Sequence, residues 1–330
     1  MIRTCWQTGV MLAGVLAGAG AHALEIEKYP ELQTFIRSFA EKHSYPEARL
    51  QAVFTQVRIR PDIVEAMERP KEALPYHEYR KQFLTEQHVQ RGEKFWAQHA
   101  GTLARAQKQH GVAPEIIVAI VGVETQYGRN KGEYPVVDAL ATLWLHYPPR
   151  SDFFRRELEE YLLLARELGT DPLSIKGSYD GAIGMPQFIP SSYRRYAVDF
   201  DNDGRRDLLK DPEDVIGSVA NFLRVHGWEA DEPIMDDVEL RGTLYFWIER
   251  LGTKPALTIA ALAQYGILPR TQAKPEWRAA LIAFEDETGP VYRLGYTNFY
   301  AVTRYNRSKR YAMAVVELAE RLRRSREESK

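Results

Sequence analysis

The sequence predicts a mainly helical protein of the α+β class with a small β-containing insertion. Apolar residues recur at helical spacing through most of the chain, as expected for helices that each bury one face. Short segments of β character are confined to residues 231–295. With 330 residues, 45% of them hydrophobic, the chain can bury a sizeable core, and we expect two or three domains or subdomains.

Residues 1–23 have the pattern of a secretory signal peptide. Arg3 gives a positive start, residues 9–20 form a short apolar run, and Ala21 and Ala23 are the small residues of a cleavage site. The apolar run is too short for a membrane span. An N-terminal anchor or a buried first helix is the alternative. We expect cleavage after Ala23 and a soluble exported protein.

The single cysteine, Cys5, lies inside this segment and not at its cleavage point, so it is not a lipobox cysteine. The mature protein is therefore expected to have no disulfide and no cysteine-based metal site. The formal net charge is −1, and loss of Arg3 makes it −2, so the charge does not indicate nucleic acid as a partner.

Residues 24–112 are predicted to form an N-terminal α domain. Thr85 suits the N-cap of its long last helix, and Gly111 suits the end of that helix. The core is predicted to follow at residues 113–230 and to be completed by residues 296–330. The helices predicted in these regions are residues 31–43, 46–54, 86–110, 134–147, 152–168, 215–226 and 311–322, with residues 323–330 as a frayed tail.

The most apolar predicted helix begins at Pro114, which suits a first helical position because proline has no N–H to leave unpaired. Residues 116–123 are all apolar or glycine, so no face of this helix suits water and the helix must be buried. Glu124 follows at its end, and Gly128 is expected to stop the helix one turn later.

Glu124 is the first candidate for a catalytic residue. A carboxyl at the end of a buried helix must be paired or hold its proton, because burial disfavours the charged form. A carboxylic acid that stays neutral near pH 7 can serve as a general acid. The alternative is a structural glutamate that is paired with a basic neighbour such as Arg129.

Residues 177–192 form a loop with glycines, two prolines and a few polar side chains. Loops of this kind let the backbone approach a ligand closely. The alternative is an ordinary glycine-rich connector.

Residues 199–214 partly match the calcium loop of an EF-hand. Oxygen ligands occupy the first, third, fifth and ninth positions, and glycine occupies the sixth. The twelfth position is Lys210 and not glutamate. Asp211 suits the N-cap of a helix that starts at Pro212, so the late ligand is expected to be Asp214. A solvated acidic loop is the alternative, but aspartates this close repel one another unless a cation neutralises them.

The insertion at residues 231–295 is predicted as small and α/β. Its predicted strands are residues 238–240, 280–284 and 291–294, with a turn at 286–290, and its helical segments are residues 246–248 and 258–263.

The sequence contains no zinc spacing, phosphate loop, dinucleotide fingerprint or nucleophile elbow. A buried glutamate, a polar loop and tyrosines near both ends remain. Tyrosine rings stack on sugar faces and their hydroxyls form hydrogen bonds, so an exported carbohydrate-active enzyme is the function that the residues favour.

Several long motifs, spread in order over almost the whole mature chain, resemble the lytic murein transglycosylase B family. They are Val121-Gly122-Val123-Glu124-Thr125 with Tyr127-Gly128, Asp138-Ala139-Leu140-Ala141-Thr142-Leu143, Gly177-Ser178 to Gln187-Phe188 with Pro190-Ser191-Ser192, Ile216-Gly217-Ser218-Val219-Ala220-Asn221, and Thr303-Arg304-Tyr305-Asn306. The resemblance implies a lysozyme-like core with an EF-hand-like cation site. It also implies cleavage of the bond between N-acetylmuramic acid and N-acetylglucosamine in peptidoglycan, with a 1,6-anhydromuramoyl end as product.

The resemblance also implies roles for individual residues, with Glu124 as the catalytic acid and base. Implied substrate-binding residues are Ser178, Gln187, Asn221, Tyr305, Asn306 and Tyr311, with Tyr79 and Arg80 approaching from the α domain. Implied cation ligands are Asp199, Asp201, Asp203, Arg205 through its carbonyl oxygen, Asp207 and Asp214. Two positions depart from the family: Phe222 stands where better-known members carry tyrosine, and the cation loop is one residue longer before Asp211.

The implied mechanism needs one carboxyl, because the sugar's own N-acetyl group stabilises positive charge and its 6-hydroxyl replaces water. A hydrolytic muramidase and a non-catalytic peptidoglycan-binding protein are the alternatives. The implied cation is structural calcium, with sodium as the alternative, and no organic cofactor is expected. Expected partners are peptidoglycan glycan strands, with wall-synthesis proteins as a further candidate class, and the protein is expected to be a monomer.

Overall fold

The structure, a computed structural model, describes residues 21–68 and 74–328. Most of the predicted signal peptide, including Cys5, lies outside these residues. The helices are α1 Pro30–His43, α2 Glu47–Phe54, α3 Pro61–Glu68, α4 Tyr76–Tyr79, α5 Glu86–Gln98, α6 Ala100–His110, α7 Pro114–Thr125, α8 Val136–His146, α9 Ser151–Glu167, α10 Pro190–Tyr196, α11 Pro212–Val225, α12 Tyr245–Glu249, α13 Ile259–Gln264, α14 Thr297–Thr303 and α15 Lys309–Glu328. The strands are β1 His22–Ala23, β2 Arg58–Ile59, β3 Tyr134–Pro135, β4 Lys176–Gly177, β5 Met235–Leu240, β6 Leu257–Thr258, β7 Ile267–Pro269, β8 Arg278–Asp286 and β9 Gly289–Tyr296. None of the helices in the described part of the chain has the length and hydropathy that a bilayer span requires.

The helix α7 lies at the centre of the main hydrophobic core. Its residues from Ile116 to Val121 are fully buried, as the sequence predicts. Helices α5, α6, α11 and α15 pack against it. The helix ends at Thr125, earlier than predicted, because Gln126 and Tyr127 both adopt left-handed backbone angles, with φ of 50° and 61°.

The early end of α7 folds the Tyr127 ring back onto the helices. A Cβ added at Gly92 of α5 would lie 2.4 Å from the Tyr127 hydroxyl oxygen, and one at Gly122 of α7 would lie 2.6 Å from it. The phenol therefore occupies a slot that only two glycines leave open. Thr125 then joins the end of α7 to the next loop, because its hydroxyl donates to the Met185 carbonyl at 2.9 Å.

The small sheet is antiparallel, with strand order β6-β8-β9-β5-β7. Strand β8 is buried on both faces. Ala280, Ile282 and Phe284 belong to the main core, whereas Ala279 and Leu281 belong to a second, smaller core. Because side chains of a strand alternate between its faces, β8 joins the two cores. The predicted division into domains stays a prediction.

Two further helix predictions need correction. The long helix predicted between Thr85 and Gly111 is broken at His99 into α5 and α6, although both predicted caps are confirmed. The C-terminal helix α15 continues to Glu328 instead of fraying after residue 322. The reason is contact with α5: the Ser325 hydroxyl donates to Glu93, and the Arg326 guanidinium lies 5.0 Å from the centroid of the Trp96 ring.

Candidate active site

A cleft of about 760 Å³ lies where the end of α7 meets the loop after β4, the start of α9, the ends of α10 and α11, and the segment between α14 and α15. Its wall combines many aromatic rings with charged and polar groups. The aromatic lining residues are Phe153, Phe154, Tyr179, Phe188, Tyr196, Phe222, His226 and Tyr305. The charged and amide or hydroxyl residues are Glu124, Arg150, Ser178, Asp180, Gln187, Ser192, Arg304, Asn306 and Arg307.

Glu124 lies half-buried in the last turn of α7 and faces this cleft. Two phenols lie near it. Burial, and then the negative charge of Glu124, raises the pKa of Tyr305 and of Tyr311 well above the ordinary value. Both phenols therefore stay protonated and neutral at physiological pH.

Tyr305 links the carboxyl to the loop after β4. Its hydroxyl donates to the Pro186 carbonyl at 2.5 Å, while the partly exposed ring lines the cleft. Its ring centroid lies 5.6 Å from that of Phe188 and 4.8 Å from that of Phe222. Phe222 in turn stacks on His226 at 4.0 Å. These rings form a continuous apolar wall that suits the face of a sugar.

The loop after β4 is held by its own hydrogen bonds. The side-chain amide nitrogen of Gln187 donates to the Gly184 carbonyl at 2.8 Å and to the Lys131 carbonyl at 3.3 Å. Its amide oxygen is thus the group that it can offer to a ligand. Ser178 donates its hydroxyl proton to Asp180 and accepts the N–H of Ala182.

Two of the predicted groove residues lie behind the cleft wall. Tyr311 is buried, and its ring is parallel to that of Tyr305, with 6.3 Å between centroids. Asn221 donates to the Tyr196 carbonyl at 2.9 Å and accepts from Arg224 at the same distance. Both support residues that line the cleft.

The two residues predicted to approach from the α domain lie further back. Tyr79 is buried and packs against Phe83, with ring centroids 5.2 Å apart. The Arg80 guanidinium pairs with Glu317 of α15 at 3.1 Å. Of the substrate-binding residues predicted, the structure places Ser178, Gln187, Tyr305 and Asn306 in the cleft lining with Glu124.

The predicted cation loop brings three of its carboxylates together. One oxygen from each of Asp199, Asp201 and Asp203 lies within 4.8 Å of the others. Asp199 also accepts backbone N–H groups from Asp203 at 3.1 Å and from Gly204 at 2.9 Å. Gly204 has a φ of 86°, which lets the chain turn tightly there. Clustered carboxylate oxygens are the ligands that calcium prefers, so these residues fit a hard cation.

The remaining predicted ligands are engaged with the backbone. Asp214 is buried, and its two oxygens accept the N–H groups of Phe200 and Asp207, each at 2.7 Å. Asp207 accepts from the backbone of residues 209 and 210. The N–H of Arg205 donates to Asp203 at 2.8 Å. The predicted N-cap is confirmed, because Asp211 accepts the Glu213 N–H at 2.7 Å, at the start of α11.

The family model described as transglycosylase SLT domain matches residues 27–320 of this sequence. The chain belongs to the transglycosylase SLT domain family. It is similar to the membrane-bound lytic murein transglycosylase B of Escherichia coli (strain K12), with 40% identity over 303 residues, which cover 88% of this chain and 82% of that protein. These matches identify this chain as a lytic murein transglycosylase.

Solved structures of the family agree. The soluble lytic transglycosylase SltB1 from Pseudomonas aeruginosa, in its catenated form, has a TM-score of 0.86 and 42% identity, and the match covers 92% of this chain and 100% of that one. The Escherichia coli lytic transglycosylase Slt35 in complex with bulgecin A has a TM-score of 0.83 and 38% identity, with 93% and 96% covered. The predicted fold class, mainly helical with a lysozyme-like core, is confirmed.

Sequence reasoning missed several residues of the SLT-family cleft. Arg150 lies over the rings of Phe153 and Phe154, at 4.2 Å and 5.2 Å. The two adjacent phenylalanines at the start of α9, preceded by an arginine, are the sequence pattern that could have indicated this part of the cleft lining. Asp180 was also missed, although it is the one carboxylate in the quoted loop of residues 177–192.

Proposed function

We propose that this lytic murein transglycosylase is exported and cleaves the bond between N-acetylmuramic acid and N-acetylglucosamine in peptidoglycan, leaving 1,6-anhydromuramoyl ends. The observation that carries the proposal is the position of Glu124, half-buried at the floor of an aromatic cleft and beside neutral phenols. A related enzyme, SltB3 from Pseudomonas aeruginosa, has been solved in complex with NAG-anhNAM-pentapeptide, at 30% identity and a TM-score of 0.76 over 88% of this chain and 79% of that one. A bound anhydro sugar in a relative supports the same product here.

Glu124 acts first as an acid. The acetamido carbonyl oxygen of the muramoyl residue attacks the anomeric carbon while the bond to the leaving oxygen breaks, and Glu124 protonates that oxygen. The positive charge then resides on the closed acetamido ring. The aromatic wall of Phe188, Phe222 and Tyr305 holds the sugar ring during this step.

Glu124 acts next as a base. The 6-hydroxyl of the same sugar attacks the anomeric carbon, the bond to the acetamido oxygen breaks, and the Glu124 carboxylate takes the hydroxyl proton. Attack within one sugar gains from effective molarity, since both groups are already held together. An ordinary retaining or inverting glycosidase would instead need a second carboxylate, which acts as the nucleophile or activates a water. Asp180, which also lines the cleft, already accepts a hydrogen bond from the Ser178 hydroxyl.

Digestion of purified murein in ¹⁸O-labelled water tests the reaction. Muramoyl ends formed by the 6-hydroxyl should carry no heavy oxygen and should be lighter by one water than hydrolytic ends. Mass spectrometry of the released muropeptides distinguishes the two. Predominantly labelled, reducing ends would make this protein a muramidase, and binding to murein without any cleavage products would favour the non-catalytic alternative.

The aspartate loop is proposed to hold a structural calcium ion, with sodium as the alternative. Asp199, Asp201 and Asp203 are the residues that would hold it, through clustered carboxylate oxygens. The Slt35 enzyme of Escherichia coli has been solved in complex with calcium, which supports this choice. The ion would neutralise the loop and fix it beside α11, and the reaction proposed above uses no metal step and no organic cofactor.

The proposal places the mature enzyme in the periplasm as a soluble monomer. The signal-like pattern of residues 1–23 supports export. Its partners there are glycan strands, with wall-synthesis proteins as a further candidate class. Cell fractionation of a C-terminally tagged chain, with N-terminal sequencing of the product, tests this: a mature start at Leu24 is the expected result.

A further inference from the structure

The reaction proposed above leaves one carboxylate of the cleft without a role, that of Asp180. It stands two positions after Ser178, and both residues line the cleft with Glu124. The Ser178 hydroxyl donates its proton to a carboxylate oxygen of Asp180. The same hydroxyl oxygen accepts the backbone N–H of Ala182 at 2.9 Å.

These two bonds determine what Ser178 can offer a ligand. A serine hydroxyl has one proton to donate and two lone pairs to accept with. Asp180 takes the proton and Ala182 takes one lone pair. One lone pair remains, so Ser178 can accept a hydrogen bond from a substrate but cannot donate one.

The turn that carries these groups is rigid. The N–H of Ser178 donates to the Ala182 carbonyl at 2.9 Å, and the N–H of Gly181 donates to the Ser178 carbonyl at 3.1 Å. Gly181 has a φ of 85°, and a Cβ there would lie 2.5 Å from the Leu140 side chain. The direction of the Ser178 hydroxyl is thus set by the fold before any substrate binds.

We propose that Asp180 is a positioning residue, which makes Ser178 an acceptor for the N–H of the substrate's acetamido group. The inference rests on the proposed function, in which the acetamido carbonyl oxygen attacks the anomeric carbon. A serine proton donated to that oxygen would withdraw electron density from the atom that must attack and make it a weaker nucleophile. An acceptor at the N–H leaves the oxygen free and draws electron density toward it.

This arrangement stabilises the transition state more than the bound substrate. As the carbonyl oxygen bonds to the anomeric carbon, the amide nitrogen gains positive charge and its N–H becomes a stronger donor. The hydrogen-bonded chain from N–H through Ser178 to the Asp180 carboxylate strengthens at the same moment, because charge-assisted bonds are stronger and neighbouring bonds polarise one another. An interaction that is stronger in the transition state raises kcat and leaves KM little changed.

A double-mutant cycle on purified glycan strands tests the role of Asp180. Asp180→Ala should lower kcat by about 10- to 100-fold and change KM by less than about threefold, as expected for a misplaced reacting group. Ser178→Ala should cause a similar loss, and the double variant should lose no more than either single variant. Glu133→Ala is the matched control, because it removes an exposed carboxylate next to β3, the strand that pairs with β4. Its kcat should stay at the wild-type level.

Binding measurements separate positioning from simple substrate contact. A sugar thiazoline imitates the closed acetamido ring, whereas an N-acetylglucosamine oligomer imitates the bound substrate. Asp180→Ala should weaken thiazoline binding about tenfold or more and oligomer binding less than about twofold. Asp180→Asn keeps an oxygen that can accept the serine proton but loses the charge, so its kcat should lie between those of the wild type and Asp180→Ala.

Four results would each overturn the proposal. Two come from the cycle and the binding assay: additive losses of kcat in the double variant, or an equal loss of affinity for the thiazoline and the oligomer. The other two are a wild-type kcat in Asp180→Ala or in Asp180→Asn. If Asp180→Ala unfolds, Asp180→Asn and its double variant with Ser178→Ala decide the question by the same cycle. The coupling between the two residues is read from rates, whereas the proposed product is read from ¹⁸O labelling. Failure of one therefore remains distinguishable from failure of the other.

Discussion

Replacing Asp214 by alanine should destabilise the protein strongly even when no cation is present. The side chain is 1% exposed, and its two oxygens accept the N–H groups of Phe200 and Asp207. Alanine would leave both donors without an acceptor inside the fold. Each unsatisfied group costs about 1–3 kcal/mol, so the free energy of unfolding should fall by about 2–6 kcal/mol. Asp214→Asn keeps one oxygen and should lose about half as much.

Urea unfolding followed by circular dichroism, with excess chelator in every sample, measures this loss separately from cation binding. Asp201→Ala is the matched control, because it removes an exposed carboxylate from the same loop. Its free energy of unfolding in chelator should lie within about 0.5 kcal/mol of the wild type. If Asp214→Ala also lies within about 1 kcal/mol, the two backbone bonds do not hold the loop, and the reasoning is wrong.

Three further predictions follow from the site and the packing around it. Glu124→Gln should keep the wild-type melting temperature and lower murein cleavage by about 10²–10⁴-fold, because an amide cannot exchange a proton; near-wild-type clearing of murein would refute the assignment. Millimolar calcium should raise the melting temperature relative to chelator, since a hundredfold excess of ligand over Kd stabilises the folded state by about 2.7 kcal/mol. Asp203→Ala should abolish the shift, and equal melting curves for the wild type in both buffers would exclude a cation site. Gly122→Ala should lower the free energy of unfolding in urea by about 1–3 kcal/mol, because the new methyl meets the Tyr127 ring. Gly101→Ala, with open space around it in α6, should leave this free energy unchanged or raise it, and equal effects of the two variants would contradict the packing.

The elements that the sequence predicts best are those whose signals are local. Pro114, the apolar run after it and the cap residues Thr85 and Asp211 each specify their helix ends through neighbouring residues, and the structure confirms them. The break at His99 has no such signal, because apolar spacing continues through it. The end of α7 was misplaced because the left-handed turn at Gln126 depends on a slot for Tyr127, which Gly92 of the distant helix α5 leaves open together with Gly122.

The candidate site was predictable only in part for the same reason. Glu124 and Ser178 could be singled out because they lie in long, distinctive motifs. Whether a side chain lines the cleft or supports its wall depends on how distant segments meet. Asn221 ends one of the motifs but lies behind the wall, as does Tyr311, whereas Arg150 lies in no motif that the resemblance rests on and yet lines the cleft.

The position of α15 has a consequence for when this protein can act. The helix packs along α7, and Tyr311 at its start lies beside Glu124, 187 positions earlier in the chain. The residues of α15 are synthesised long after those of α7, so the core around α7 and the cleft can close only once α15 is available. The active cleft of this wall-cleaving enzyme therefore forms only after the C-terminal helix has been made. C-terminal truncations should yield an inactive protein that exposes the apolar faces of α7.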